Sequence, residues 1–258
     1  MVKNSEIQST AKSVAPRVSS TCGDWTLYEY AVVTSTNLVS AGLPAWTAVR
    51  ADAQTEGRGR FQRNWVSDRG GLWLSAVVPV GTDKLSRRAL PLVAGLALCA
   101  FLTELGVSGF RLRWPNDVLI DHRKLAGLLV DEFSPGLAVI GVGLNVQNQP
   151  DLADPGLENQ TARLADLLPT VPQLSELTAS LLRHIRQVLD ELGSDGAPAL
   201  FLRVNQLWNL RYVELDLDGI ARRGLFTGVD PEGRLALSTP DGKVSFYEAH
   251  QVRHLTET

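Results

Sequence analysis

The chain has 258 residues, 44% hydrophobic and 21% charged, an ordinary globular composition with apolar mass for one large domain, or a large and a small one. A formal net charge of -3 excludes a global positive field that would recruit nucleic acid. Two cysteines, Cys22 and Cys99, exclude a disulfide framework and fit a reducing cytoplasm. The lack of a run of about 18 apolar residues predicts no membrane span, and no apolar leader segment is evident at the N-terminus.

Residues Met1–Gly23 read as a disordered N-terminal tail without periodicity. Trp25–Val33 has strand composition, and Thr34, Ser35, Thr36 and Asn37 are good helix N-caps for a short helix to about Ala41. Ala45–Ala53 reads as a second strand carrying Gln54 at its end. Gly71–Val80 is apolar on both faces and reads as a central strand. Ser86–Gly106 is predicted as a helix with apolar residues nearly all round, hence buried, with Pro91 near its start.

Phe110–Trp114 alternates cleanly, with Arg111 and Arg113 on one side, and Pro115 ends the ladder. Val118–Ile120 and Leu125–Glu132 read as a hairpin joined by the turn Asp121–Lys124, and Leu137–Val146 as another strand. Many strands with few helices between them predict an α+β fold on a mixed, largely antiparallel sheet. Thr161–Leu168, Gln173–Leu192 and Ala197–Trp208 read as helices. From Arg211 four short strands, ending at Tyr247 and punctuated by Asp218-Gly219, Glu232-Gly233 and Asp241-Gly242, predict a small antiparallel barrel of roughly 50 residues. The expected division is a tail 1–23, a main domain 24–209 and a terminal barrel 210–258.

The most informative stretch is Ala53–Trp65, AQTEGRGRFQRNW. Gly57 and Gly59 let the backbone approach a ligand, and Arg58, Arg60 and Arg63 supply planar forks for carboxylate and phosphate oxygens. The loop lacks the Lys-Ser/Thr ending of a P-loop. GVGLNV at Gly141–Val146 lacks the third glycine of a dinucleotide fingerprint. Trp114-Pro115-Asn116-Asp117 presents an amide and a carboxylate at a strand end, and Lys124 follows at the hairpin. Singly, each reads as a turn or a surface residue. Together, Arg58, Arg60, Arg63, Arg113 and Lys124 fall at strand ends or loops of one predicted sheet. The four histidines make no metal-ligand pattern.

Four motifs in order carry a resemblance: Ser35-Thr36-Asn37, GRGRFQRNW at Gly57–Trp65, RWPNDV…KLAGLL at Arg113–Leu129, and GVGLN at Gly141–Asn145. From Trp25 to the C-terminus the chain resembles biotin–protein ligases, the biotin–[acetyl-CoA-carboxylase] ligases, in the short form without an N-terminal DNA-binding domain. It departs from the family in having Arg113 where lysine is usual and Gln62 where glycine is usual. The resemblance implies a class II aminoacyl-tRNA synthetase-like core with an SH3-like C-terminal barrel. It also implies a C–N bond-forming ligase that makes biotinyl-5′-AMP from biotin and ATP with Mg²⁺, then biotinylates a lysine of a biotin carboxyl carrier domain.

By motif position, Ser35, Thr36, Asn37 and Gln54 would hold biotin, with Gly57, Arg58, Gly59 and Arg60 of the loop closing over it. Arg60, Arg63, Trp65, Arg113, Asn116, Asp117 and Asn145 would serve the nucleotide. Lys124 would bridge the biotin carboxylate and the α-phosphate as the main catalytic residue, beside Arg58 and Arg60. Mg²⁺ would lie near Asp117, and Arg253 is a candidate contact to ATP or acceptor. The implied partners are biotin, ATP and the carrier domain, without DNA or membrane, in a cytoplasmic monomer or weak homodimer. The alternative within the enzyme class is a lipoate–protein ligase on the same core. A DNA-binding repressor needs a domain for which fewer than about 25 leading residues are too few.

Overall fold

The computed structural model describes residues 15–81, 83–148, 150, 161–208 and 210–257. Strands β1 (Val18–Cys22), β2 (Trp25–Val33), β3 (Thr47–Gln54), β4 (Leu72–Pro79), β5 (Phe110–Arg113), β6 (Asp117–Ile120), β7 (Arg123–Ser134) and β8 (Leu137–Leu144) form one sheet, in the order β1-β2-β3-β4-β8-β7-β6-β5. Only the β2–β3 pair in this sheet is parallel, so the predicted mixed, largely antiparallel sheet is what forms. Strands β9 (Arg211–Leu217), β10 (Ile220–Val229), β11 (Leu235–Ser238), β12 (Val244–Tyr247) and β13 (His254–Glu257) make a second, SH3-like antiparallel sheet.

Alternation along the central strands separates two faces. Leu72, Leu74, Ala76 and Val78 of β4 join the main core with the long helix α2 (Lys84–Glu104) and with α3 (Leu174–Asp195). Trp73, Ser75 and Val77 face the other way, where the short helix α1 (Thr36–Ser40) crosses β3, β4 and β8. Helix α2 starts on an Asp83 cap that accepts from Ser86 N at 2.8 Å, and its buried residues run nearly all round it. It has the length and apolarity of a membrane span, but 67% of that window is buried inside the fold, as befits a core helix. Helix α4 (Ala197–Gln206) leads to Trp208, whose Nε1 donates to Leu112 O at 2.6 Å while its ring meets Phe226 edge-on at 5.0 Å. The main core is therefore continuous into the second sheet.

Four local expectations are corrected. Order begins before Trp25. Gly23 at φ 58° opens a two-residue turn that folds Val18–Cys22 onto β2 as an edge strand, while residues 1–14 of the expected tail lie outside the described residues. The turn between β6 and β7 is Asp121-His122 alone, both at positive φ, so Arg123 and Lys124 belong to the strand. Thr161–Leu168 is not a helix. Ala162 N bonds Lys124 O at 3.0 Å and extends the sheet, leaving only a 3-10 turn at Leu164–Asp166. Finally, β13 pairs with β9 and adds a strand to the expected barrel.

Candidate active site

Cross-strand registry builds the site floor in two rows. One row runs Val49–Ser75–Gly141–Leu129, and the next runs Trp73–Gly143–Gly127–Asp117–Arg113. The glycines are places where other side chains lie on the sheet. A Cβ on Gly141 would stand 2.2 Å from Asn37 Oδ1, and one on Gly143 would stand 2.5 Å from Trp65 Nε1. The Trp65 indole thus rests on Gly127 and Gly143, with its buried Nε1 bonded to nothing among the described residues. Above this floor is a cavity of about 460 Å³, within the usual range for small-molecule sites.

Lys124 reaches that face because β7 carries a bulge. Asp117 pairs with Gly127 and Val118 with Ala126, but Leu119 pairs with Lys124, so Leu125 is the extra residue. In a regular strand Leu125 would share the face of Gly127 and Leu129. The bulge sends Leu125 into the core, fully buried, and turns Lys124 to the cavity. The Lys124 ammonium sits 3.0 Å from Asp117 Oδ1 and 5.1 Å from the centre of the Trp65 ring. Arg113 holds the other carboxylate oxygen at 2.6 Å. Burial alone would raise the Asp117 pKa, but the charges of Lys124 and Arg113 outweigh it and hold the carboxyl at about 2.

At the other end, two amides are oriented by groups with no choice of role. Thr36 N–H must donate, and it meets Gln54 Oε1 at 2.7 Å, so Gln54 Nε2 faces Ser67 Oγ at 2.8 Å. Ser67 passes the chain on to Trp65 O at 2.9 Å. Asn37 Nδ2 donates to Asp131 Oδ2 at 2.8 Å, and Ser75 Oγ lies 2.6 Å from Asn37 Oδ1. Ser35 lines the cavity and makes no capping bond with its side chain.

The arginine loop is docked on the second sheet. Arg60 donates to Ala249 O, to Val252 O at 3.2 Å and to Asn116 Oδ1 at 3.4 Å, and Arg63 donates to Arg253 O. The Arg253 guanidinium stacks 4.4 Å above the Phe61 ring. Burial lowers the Arg60 pKa to about 10, with Asp117 opposing and Arg63 adding to the fall. Phe61 and Gln62 have φ of 54° and 60°, so Gln62 adopts the left-handed conformation in which the family's usual glycine costs nothing.

The cavity brings together Ser35, Thr36, Asn37, Gln54, Arg58, Gly59, Arg60, Arg63, Trp65, Arg113, Asn116, Asp117, Lys124 and Arg253. Arg58 and Lys124 share it. Two expected residues are not in its wall. Gly57 lies behind it, where a Cβ would meet Trp65 O at 2.2 Å. Asn145 is fully buried and spends its Nδ2 on Lys124 O and Ala162 O, both at 3.2 Å, and its Oδ1 on Asn148. It pins the backbone of the bulge and does not reach the cavity. Sequence reasoning missed Ser67, Ser75 and Asp131. A lone serine inside the apolar run LWLSAVV was a usable signal for Ser75. Asp131 offered none.

Among the described residues Asp117 is the sole carboxylate lining the cavity, against five arginines, Arg58, Arg60, Arg63, Arg113 and Arg253, and Lys124. Its oxygens are already held by Arg113 and Lys124, and among the described residues no group of three or more His, Cys, Asp or Glu is poised for a metal. The protein therefore does not fit a resident Mg²⁺ at Asp117.

Residues 28–145 match the biotin/lipoate A/B protein ligase family. The chain is 32% identical over 240 residues to the biotin–[acetyl-CoA-carboxylase] ligase of Mycobacterium tuberculosis, covering 87% of this chain and 88% of that one. It is 29% identical to the bifunctional ligase/repressor BirA of Bacillus subtilis over 84% of this chain and 69% of the relative. The fold superposes on biotin protein ligase from Aquifex aeolicus in complex with biotin and ATP with a TM-score of 0.77 and 26% identity, covering 90% of this chain and 99% of that one. An arginine loop closed over a glycine floor, on this fold and with these relatives, makes the chain a member of the biotin protein ligase family.

Proposed function

We propose that this protein is an ATP-dependent biotin–protein ligase that biotinylates a lysine of a biotin carboxyl carrier domain, such as that of acetyl-CoA carboxylase. The observation that carries the reading is a single cavity with oriented amide and hydroxyl groups at one end and Arg113, Lys124 and Arg60 at the other. The biotin carboxylate attacks the α-phosphorus of ATP, the bond to the β-phosphate oxygen breaks, and pyrophosphate leaves with its electron pair. The acceptor lysine amine then attacks the acyl carbon of biotinyl-5′-AMP, loses a proton and expels AMP.

A carboxylate approaching a triphosphate meets like charge, so the site must supply cations and hold the reactants in line. In this reading Ser35, Thr36 and Gln54 take the ureido ring and the glycine floor takes the ring and chain. Lys124 leaves Asp117 to bridge carboxylate and α-phosphate. Arg58, Arg60 and Arg63 close over the adenylate, and Trp65, Arg113, Asn116 and Asp117 line the nucleotide. Magnesium enters on the triphosphate as part of that substrate. Residues 24–209 carry the chemistry and the terminal barrel, 210–258, holds the loop shut. The lipoate alternative is not favoured, since the curated relatives matching most of the chain are biotin ligases or BirA. Free Cys22 and Cys99 suit a cytoplasmic setting.

The test is incubation with biotin and ATP followed by mass spectrometry for bound biotinyl adenylate. The adenylate is expected with the parent protein and lost in Lys124→Met, which keeps the bulk but not the charge. A parent protein that forms no adenylate would refute the reading.

A further inference from the structure

Two polar side chains behind the cavity wall have no part in the reaction just described. Ser75 is fully buried in the middle of β4, and Asp131 lies on β7 two residues beyond Leu129, on the same face. Asn37 stands between them. The Asp131 carboxylate can only accept, so the Asn37 amide must turn Nδ2 toward it, at 2.8 Å. Asn37 Oδ1 therefore faces Ser75 Oγ at 2.6 Å, and since an amide oxygen can only accept, the single Ser75 proton is directed there. Gly141 beneath has no Cβ to lift the amide from this seat.

The direction of the chain reaches Thr36. Its hydroxyl lies 2.7 Å from Ser75 Oγ and 3.1 Å from Gln54 Oε1. Both are acceptors inside the protein, because the Ser75 proton is already committed and Gln54 Oε1 is fixed by Thr36 N–H. The Thr36 proton therefore points inward, and only lone pairs are left for whatever enters the cavity it lines.

We propose that Asp131 and Ser75 are positioning residues that make the Thr36 hydroxyl an obligate hydrogen-bond acceptor, so that the head of the cavity selects a ring bearing an N–H, a cyclic urea, over one without it. The proposal rests on the biotin reading and deepens it. A fixed negative charge at one end sets the polarity of three side chains, Asn37, Ser75 and Thr36, and the last of them meets the substrate.

The test is steady-state, biotin-dependent pyrophosphate exchange by the full chain, with Asp131→Ala, Ser75→Ala and the conservative Asp131→Glu, each checked by thermal melting. Asp131→Ala and Ser75→Ala should each raise the KM for biotin about five- to tenfold, the worth of one buried hydrogen bond. The KM for ATP and kcat should stay within about twofold, because the lost contact is made equally in ground and transition states. Asp131→Glu should restore most of the biotin KM. A biotin analogue methylated on the ureido nitrogens should lose part of its disadvantage in Asp131→Ala. An unchanged biotin KM in both variants, in an active parent enzyme, overturns the relay alone. An equal rise in the KM for ATP also overturns it, since that marks general loosening. A parent protein with no biotin-dependent exchange overturns the biotin reading beneath it.

Discussion

Asp117→Asn should destabilise the fold by an amount the structure lets one work out. Asp117 is 9% exposed and sits between Arg113 at 2.6 Å and Lys124 at 3.0 Å. Holding its carboxyl at about 2 against an ordinary 3.8 corresponds to about 2 kcal/mol of preference for the charged form in the folded state. The substitution also leaves two buried cations facing each other, and removing one partner of a buried pair typically costs about 3–5 kcal/mol. A loss of about 2–4 kcal/mol, or about 5–15 °C in melting temperature for a chain of this size, follows. The sign with pH is fixed. A carboxyl with a lowered folded pKa stabilises fully above its unfolded value, and that stability is lost as pH falls from about 4 toward 2. Parent and variant should therefore converge in acid. Thermal melts at pH 7 and across that window measure both effects. A variant that melts within about 2 °C of the parent at pH 7 would refute the reasoning, because the pair would then contribute no more than an exposed one.

Three further outcomes are expected. Gly143→Ala places a methyl 2.5 Å from Trp65 Nε1, so the indole must lift from the floor. Tryptophan emission should shift and stability fall by about 1–3 kcal/mol, and unchanged emission would show that the indole does not rest there. Glu104 joins α2 to α3, with hydrogen bonds from Arg183 and then Ser180 outweighing burial to hold its carboxyl at about 2. Its stabilising effect should be complete above pH 4.5 and fade as pH falls toward 2, and Glu104→Gln should remove that part of the acid limb in a pH series of melts. Arg60→Gly cuts the ties from the loop to Ala249 O and Val252 O. The variant should release adenylate into solution and label bystander lysines, seen by streptavidin blot. Labelling confined to the carrier domain would count against loop retention.

The sequence by itself determined the order and type of most elements, because alternation along β4 and the apolar girth of α2 are properties of a few adjacent residues. It also determined which loop is cationic and which four motifs belong together, since residue types and spacings need no partner. What only the tertiary structure decided were features set by pairing between distant segments. The bulge at Leu125 exists because β6 and β7 fall out of step, and it alone turns Lys124 toward the cavity in place of the surface hairpin its neighbours suggest. Asn145 reads as a site residue at the end of GVGLN, yet its amide is spent on two backbone carbonyls of other segments. Arg60 finds its carbonyl partners 189 and 192 residues away, on a turn whose following strand, β13, has no distinctive composition. Asp131 matters only because registry sets it beside Asn37, 94 residues earlier. A hydrogen bond depends on where two groups meet, and a local pattern records only what each group is.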